Sequence, residues 1–223
     1  MKKIFPVILP LLLSSFTAFG QLEKGNVLLG GSLSYSASKT NAEMNPFQSE
    51  KKNSQFDFSP DLGIFLDDTW VLGISLPFRW STTTSQFNTG SSGNSGINES
   101  KISSMGIAPF VRKYYPIGEK LSAFGQIQLG FIQESSKTIP NGNPANESLS
   151  ESNYFNFIGT LGLSYFPKNW LGINLSLSPI TFTSSSYQDQ NYTENTEGDG
   201  QAFSFGLDSN AISLGINFFL VKK

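Results

Sequence analysis

The 223-residue chain contains no cysteine and no histidine. The first absence excludes a disulfide framework, a thiolate metal site and a lipid-modified cysteine. The second removes the usual general base and the commonest transition-metal ligand, so the triads and dyads of hydrolytic enzymes cannot be assembled. Charge is scarce as well, at 14% of residues with a formal net charge of −2. A surface this poor in Lys and Arg excludes nucleic acid as a partner. Long hydrophobic runs are also missing: beyond the N-terminus no segment is continuously apolar.

What is present begins with an export signal. Lys2 and Lys3 precede the apolar run Ile4–Leu13, and Ala18-Phe19-Gly20 places small residues where a signal peptidase reads, so cleavage is expected between Gly20 and Gln21. As a membrane anchor the run is about half of the roughly 20 residues a helical span needs, and Pro6 and Pro10 interrupt it. Residues 1–20 therefore read as a signal peptide and 21–223 as one domain. Without Lys2 and Lys3 the 15 basic residues fall to 13 against 17 acidic ones, a balance of −4. An exported chain without apolar helices is either soluble outside the cytoplasm or crosses a membrane as a closed β-barrel, because lipid offers open backbone groups no partner.

From Gly25 the apolar residues recur with period two. Eight strands are expected: Gly25–Ala37, Ser54–Phe65, Trp70–Ser81, Lys101–Tyr115, Lys120–Glu134, Ser152–Phe166, Trp170–Phe182 and Gln201–Val221. Their connections alternate. Short turns follow the second, fourth and sixth strands, at Leu66–Thr69, Pro116–Glu119 and Pro167–Asn169, all rich in turn-forming residues. The segments Ser38–Asn53, Thr82–Ser100, Ser135–Glu151 and Thr183–Gly200 read as long polar loops. Short turns at one end and long loops at the other make an eight-stranded antiparallel up-and-down transmembrane β-barrel, with turns in the periplasm and loops outside the cell.

Period two does not say which face points outward, since a soluble barrel or sandwich shows it too. The face opposite the apolar one decides. It carries small polar residues such as Ser32, Ser59, Gly63, Ser75, Gln126, Thr160 and Asn217 rather than Lys and Glu. Such groups suit the narrow interior of an eight-stranded barrel. Asp57, Asp61, Arg79, Arg112 and Asp208 share that face and are expected to form a structural charge network in the lumen. Counting back from the turn at Leu66–Thr69 sets Asp57 opposite Arg79, and Arg112 is expected near the height of Asp61. Trp70, Tyr115, Phe166 and Trp170 beside the short turns, with Trp80 at the loop end, suggest two aromatic belts at the headgroup levels.

Ser59-Pro60-Asp61-Leu62-Gly63-Ile64-Phe65 leading into Trp70-Val71-Leu72-Gly73-Ile74, Pro109-Phe110-Val111-Arg112-Lys113-Tyr114-Tyr115-Pro116-Ile117-Gly118, and Gly159-Thr160-Leu161-Gly162-Leu163 with Trp170-Leu171-Gly172-Ile173 resemble hairpins of the small OmpA/OmpX-like outer-membrane β-barrel family of Gram-negative bacteria. The resemblance covers essentially the whole mature chain and is specific for architecture, not activity. It implies residence in the outer membrane, passage through periplasmic chaperones and the barrel-assembly machinery, and a C-terminal aromatic read by that machinery. Phe218 is the candidate, although Val221-Lys222-Lys223 follow it where the family usually ends.

No cofactor, metal or catalytic residue is expected. The acidic residues Asp67, Asp68, Asp189, Glu194, Glu197 and Asp199 match no cation-loop spacing. The leading expectation is a non-enzymatic barrel embedded in outer-membrane lipid, with a structural or surface-display role and an unidentified extracellular ligand for its loops. A narrow channel for small solutes and, below it, a secreted soluble barrel binding an apolar ligand are the alternatives.

Overall fold

The computed structural model describes residues 22–44, 47–88, 95–140, 147–190, 195–206 and 212–220. Ten strands appear in chain order: β1 (Val27–Met44), β2 (Phe47–Phe65), β3 (Trp70–Ser75), β4 (Phe78–Asn88), β5 (Ser95–Gly118), β6 (Leu121–Ile139), β7 (Ser148–Lys168), β8 (Leu171–Gln190), β9 (Asn195–Phe205) and β10 (Ile212–Leu220). They make eight staves rather than ten. β3 and β4 both lie between β2 and β5, and β9 and β10 both pair with β8. Neighbouring staves are antiparallel, and β1 closes the ring by pairing with β10.

The third stave is broken at Pro77, which has no N–H to give to the ladder. The chain is stitched around the break: Leu76 N donates to Pro60 O at 3.0 Å, and Gly106 N donates to Pro77 O at 3.0 Å. Ser81, expected to end the third strand, lies well inside β4. The first short turn is fixed by Asp67, whose Oδ1 accepts from Thr69 N at 2.7 Å and Trp70 N at 2.8 Å. This side chain reproduces a backbone turn.

The long polar segments are not loops over most of their length. β1 and β2 remain in register from Ser38↔Asn53 to Met44↔Phe47, β4 and β5 from Thr82↔Lys101 to Asn88↔Ser95, and β8 and β9 from Thr183↔Ala202 to Gln190↔Asn195. β5 alone has 24 residues, about twice the roughly 9–11 that a tilted strand needs to cross a bilayer. The sequence hides these extensions because both of their faces are wet. Pairing continues there on Ser, Thr and ion pairs, such as Glu50 with Lys39 at 2.7 Å and with Lys52 at 2.6 Å, without the apolar alternation that marks a half-buried strand.

The closure is uneven. β1 pairs with β10 only from Val27↔Leu220 to Gly31↔Ile216. Among the described residues, β1 beyond Gly31 has no ladder partner in β9 or β10, although its other edge stays paired with β2 to Met44. The separation begins at Gly31, whose φ of 138° disfavours any side chain. A Cβ there would lie 2.2 Å from Ser59 O.

Candidate functional site

Period two sends alternate side chains into the lumen, and the lumen is layered. At the short-turn end the inward positions are not small and polar as expected. Phe65, Phe110, Tyr114, Phe124, Phe166 and Phe219 form a buried aromatic plug with Leu22, Leu28 and Val71. Ring centroids lie 5.9 Å apart for Phe65 and Tyr114, 6.0 Å for Phe65 and Phe219, and 5.4 Å for Phe166 and Phe219, within the range of favourable edge and offset packing. Glycines on adjacent staves make room for the rings. A Cβ at Gly73 would sit 2.4 Å from Phe110 Cζ, and one at Gly162 would sit 2.4 Å from Phe124 Cζ.

Arg112 caps the plug on its lumen side. Its guanidinium lies 4.8 Å from the Phe124 centroid and 5.4 Å from that of Phe110. Nε donates to Gln126 Oε1 at 2.7 Å, Nη1 donates to the Tyr114 hydroxyl at 3.1 Å, and Nη2 stands 3.8 Å from Asp61 Oδ2. Turned with its oxygen toward the guanidinium, the Asn217 amide accepts from Nη1 at 3.0 Å. The planar donor fork of arginine suits this multiple anchoring. Above this layer is a polar cavity of about 240 Å³, whose walls include Ser32, Asp61, Gln128, Thr160, Ser176 and Ser213. Higher still, Asp57 faces Arg79 directly in the β2–β4 register, with Arg79 Nε donating to Oδ1 at 2.7 Å. Gln55 and Ser34 donate to the other carboxylate oxygen at 2.8 and 3.1 Å.

The expected network thus divides into two separate pairs, Asp57–Arg79 and Asp61–Arg112. Asp208 lies outside the described residues, as do Gly20 and Gln21. Trp70, Trp80, Tyr115 and Trp170 lie exposed on the outer surface. Lys113 Nζ stands over Trp70 at 4.8 Å and over Tyr115 at 5.2 Å. Phe166 is a correction: it is 2% exposed, inside the plug, and cannot belong to an outer belt. It shares the parity of Thr160 and Ser164, which face the lumen, and parity outranks nearness to a turn. Phe218 faces outward and stacks on Trp170, with centroids 6.1 Å apart, while Phe219 enters the plug. Sequence reasoning missed the plug residues, yet Phe65, Phe110, Tyr114, Phe124 and Phe219 also share the parity of the polar positions.

On the outer face Leu62, Ile64, Leu72, Ile127, Leu129, Leu161, Leu163 and Leu175 are all exposed, around a lumen lined with Ser, Asn, Gln and Thr. This is the architecture of an outer-membrane β-barrel. No protein-family profile matches the sequence, and no curated protein matches it. Among solved structures, the crystal structure of the outer membrane protein OprG from Pseudomonas aeruginosa aligns with a TM-score of 0.49 at 12% identity, over 91% of this chain and 99% of that one.

Proposed function

We propose that this chain is an integral outer-membrane protein, closed to solute passage along its axis, that works at the cell surface through its four tall polar hairpins. The observation that carries this reading is the aromatic plug. A passive channel needs a continuous water path, and six aromatic rings, none more than 4% exposed, fill the bore at the short-turn end. An eight-stranded barrel has no second lumen to offer. The hairpins β1–β2, β4–β5, β6–β7 and β8–β9 rise well past the length that lipid requires and carry polar faces, ion-paired on the first three and joined by a Gln188–Glu197 hydrogen bond on the fourth, which suits contact with a partner in the aqueous phase. The reading includes no catalytic step. Lipid surrounds the apolar outer face, the outer aromatics sit at headgroup height, and export and barrel assembly deliver the chain there, with Phe218 as the candidate assembly signal.

Two measurements test it together. The folded protein extracted from outer membranes should migrate anomalously on a gel when unboiled and shift on boiling. In planar bilayers it should give no stepwise conductance. Release of the folded chain from membranes by carbonate would sink the membrane assignment. Steady single-channel steps from the parent protein would sink the plugged reading and favour the channel.

A further inference from the structure

The open seam in the wall is the least expected feature of the barrel. Along the closed staves, outward apolar side chains lean on cross-strand neighbours and are about half exposed, as with Leu72 at 48%, Leu175 at 50% and Ile127 at 56%. The five most exposed large apolar side chains among the described residues all flank the seam: Leu33 at 67%, Tyr35 at 70%, Phe203 at 68%, Leu214 at 69% and Phe205 at 76%. Among the described residues, each lacks a cross-strand neighbour on the seam side.

Among the described residues, the two edges also lack backbone partners. From Ser32 onward β1 offers its N–H and C=O groups toward β9 and β10, which have used their other edge on β8. In hydrocarbon an unmet backbone group costs several kcal/mol, so the part of the seam that meets lipid needs an occupant able to hydrogen-bond. An acyl chain would cover Leu33 and Leu214 but leave both edges unmet. An extended polypeptide supplies donors and acceptors to both sides at once.

The side chains on the two faces of the seam specify what that strand would carry. Outside, Leu29, Leu33, Phe58, Leu214, Ile216 and Phe218 line an apolar groove of about 350 Å³. Inside lies the polar cavity with Ser32, Ser176 and Ser213. Gly31, Ser32, Leu214 and Gly215 border both, so only the seam divides groove from lumen. We propose that the seam is a binding site for an extended segment of another polypeptide, alternating apolar with small polar residues, which inserts between β1 and the β9–β10 stave as an added strand. The proposal rests on the membrane orientation of the barrel and is independent of what the hairpins contact.

The test uses the full mature chain in detergent micelles and a ten-residue peptide alternating valine and serine. Hydrogen exchange should be fast at the amides of Leu33–Glu43 that face the seam in the free protein. Saturating peptide should slow it about tenfold or more there and along β9, and leave the β5–β6 ladder unchanged. A peptide of the same length with proline at alternate positions lacks half the donors and should give no protection. Equal protection by the proline peptide or by lauric acid would show a merely greasy groove and overturn the proposal. So would slow exchange of those amides without any peptide. A second measurement does not depend on the peptide. Extending the Gly31↔Ile216 register by three residues places Ser34 opposite Ser213. In a closed seam their Cα atoms would be about 4.5–5.5 Å apart, a span that a disulfide bridges. The chain has no other cysteine, so Ser34→Cys/Ser213→Cys reports cleanly. Spontaneous disulfide formation in the extracted protein would mean that the wall closes on itself and would refute the site. Persistent free thiols that become protected on adding the valine–serine peptide are the expected result. Heat-modifiable migration of each sample separates failure of the site from failure of the membrane reading.

Discussion

Substituting Arg112 by methionine keeps much of the side-chain volume, removes the charge, and strips four polar contacts from the centre of the barrel. The side chains of Arg112 and Asp61 are only 6% and 16% exposed, so bulk water replaces the lost partner of the Asp61 carboxylate poorly. Removing one member of a buried pair costs about 3–5 kcal/mol, mostly as the penalty of the charge left behind. The Gln126 and Tyr114 hydrogen bonds and the contacts with the Phe110, Tyr114 and Phe124 rings act on the same guanidinium and overlap with that figure, so they are not added to it. With a urea dependence of about 2 kcal/mol per molar, Arg112→Met should lower the unfolding midpoint in micelles by about 2 M, followed by tryptophan fluorescence. Adding Asp61→Asn removes the orphaned charge, and the double variant should recover roughly 2 kcal/mol relative to Arg112→Met. If Arg112→Met costs under about 1 kcal/mol, or the two changes simply add, the pair does not hold the plug in place and the reasoning is refuted.

Phe110→Ala should cost about 3–5 kcal/mol in the same assay and, combined with Phe124→Ala, should admit stepwise ion conductance that the parent lacks. Gly73→Val should destabilise by about 1–3 kcal/mol, because a Cβ there meets the Phe110 ring at 2.4 Å. The Thr69 and Trp70 N–H groups hold the Asp67 carboxyl below the usual carboxylate range. A depressed folded pKa stabilises above the unfolded value of about 3.9, and that contribution is lost as pH falls through the lower folded value. Asp67→Ala should therefore be less stable than the parent at pH 7, with the difference shrinking in acid, as refolding yields across pH would show. Lys113→Ala should change stability by no more than about 1 kcal/mol, because a half-exposed cation over Trp70 and Tyr115 contributes little.

Much of the barrel is legible in the residue order, because a closed sheet between lipid and a narrow lumen imposes a strict two-sided code. That code gives the staves, the short turns and the outward apolar face, and counting from Leu66–Thr69 gives the facing of Asp57 and Arg79. It goes quiet where both faces of a strand are wet, so Ser38–Asn53 reads as a loop although it is mostly paired. At Phe166 parity, not nearness to a turn, sets the facing, and the ring points inward.

The sequence by itself determined which side chains face out and which face in, since that depends only on alternation along one strand. Only the tertiary structure decided that Phe65 from β2, Phe110 and Tyr114 from β5, Phe124 from β6 and Phe219 from β10 meet as one plug with Arg112 over it, because those contacts cross the barrel between residues far apart in the chain. It alone decided that, among the described residues, the β1–β10 pairing ends at Gly31. Closure depends on the shear summed around eight staves, and no local pattern in β1 or β10 records that sum.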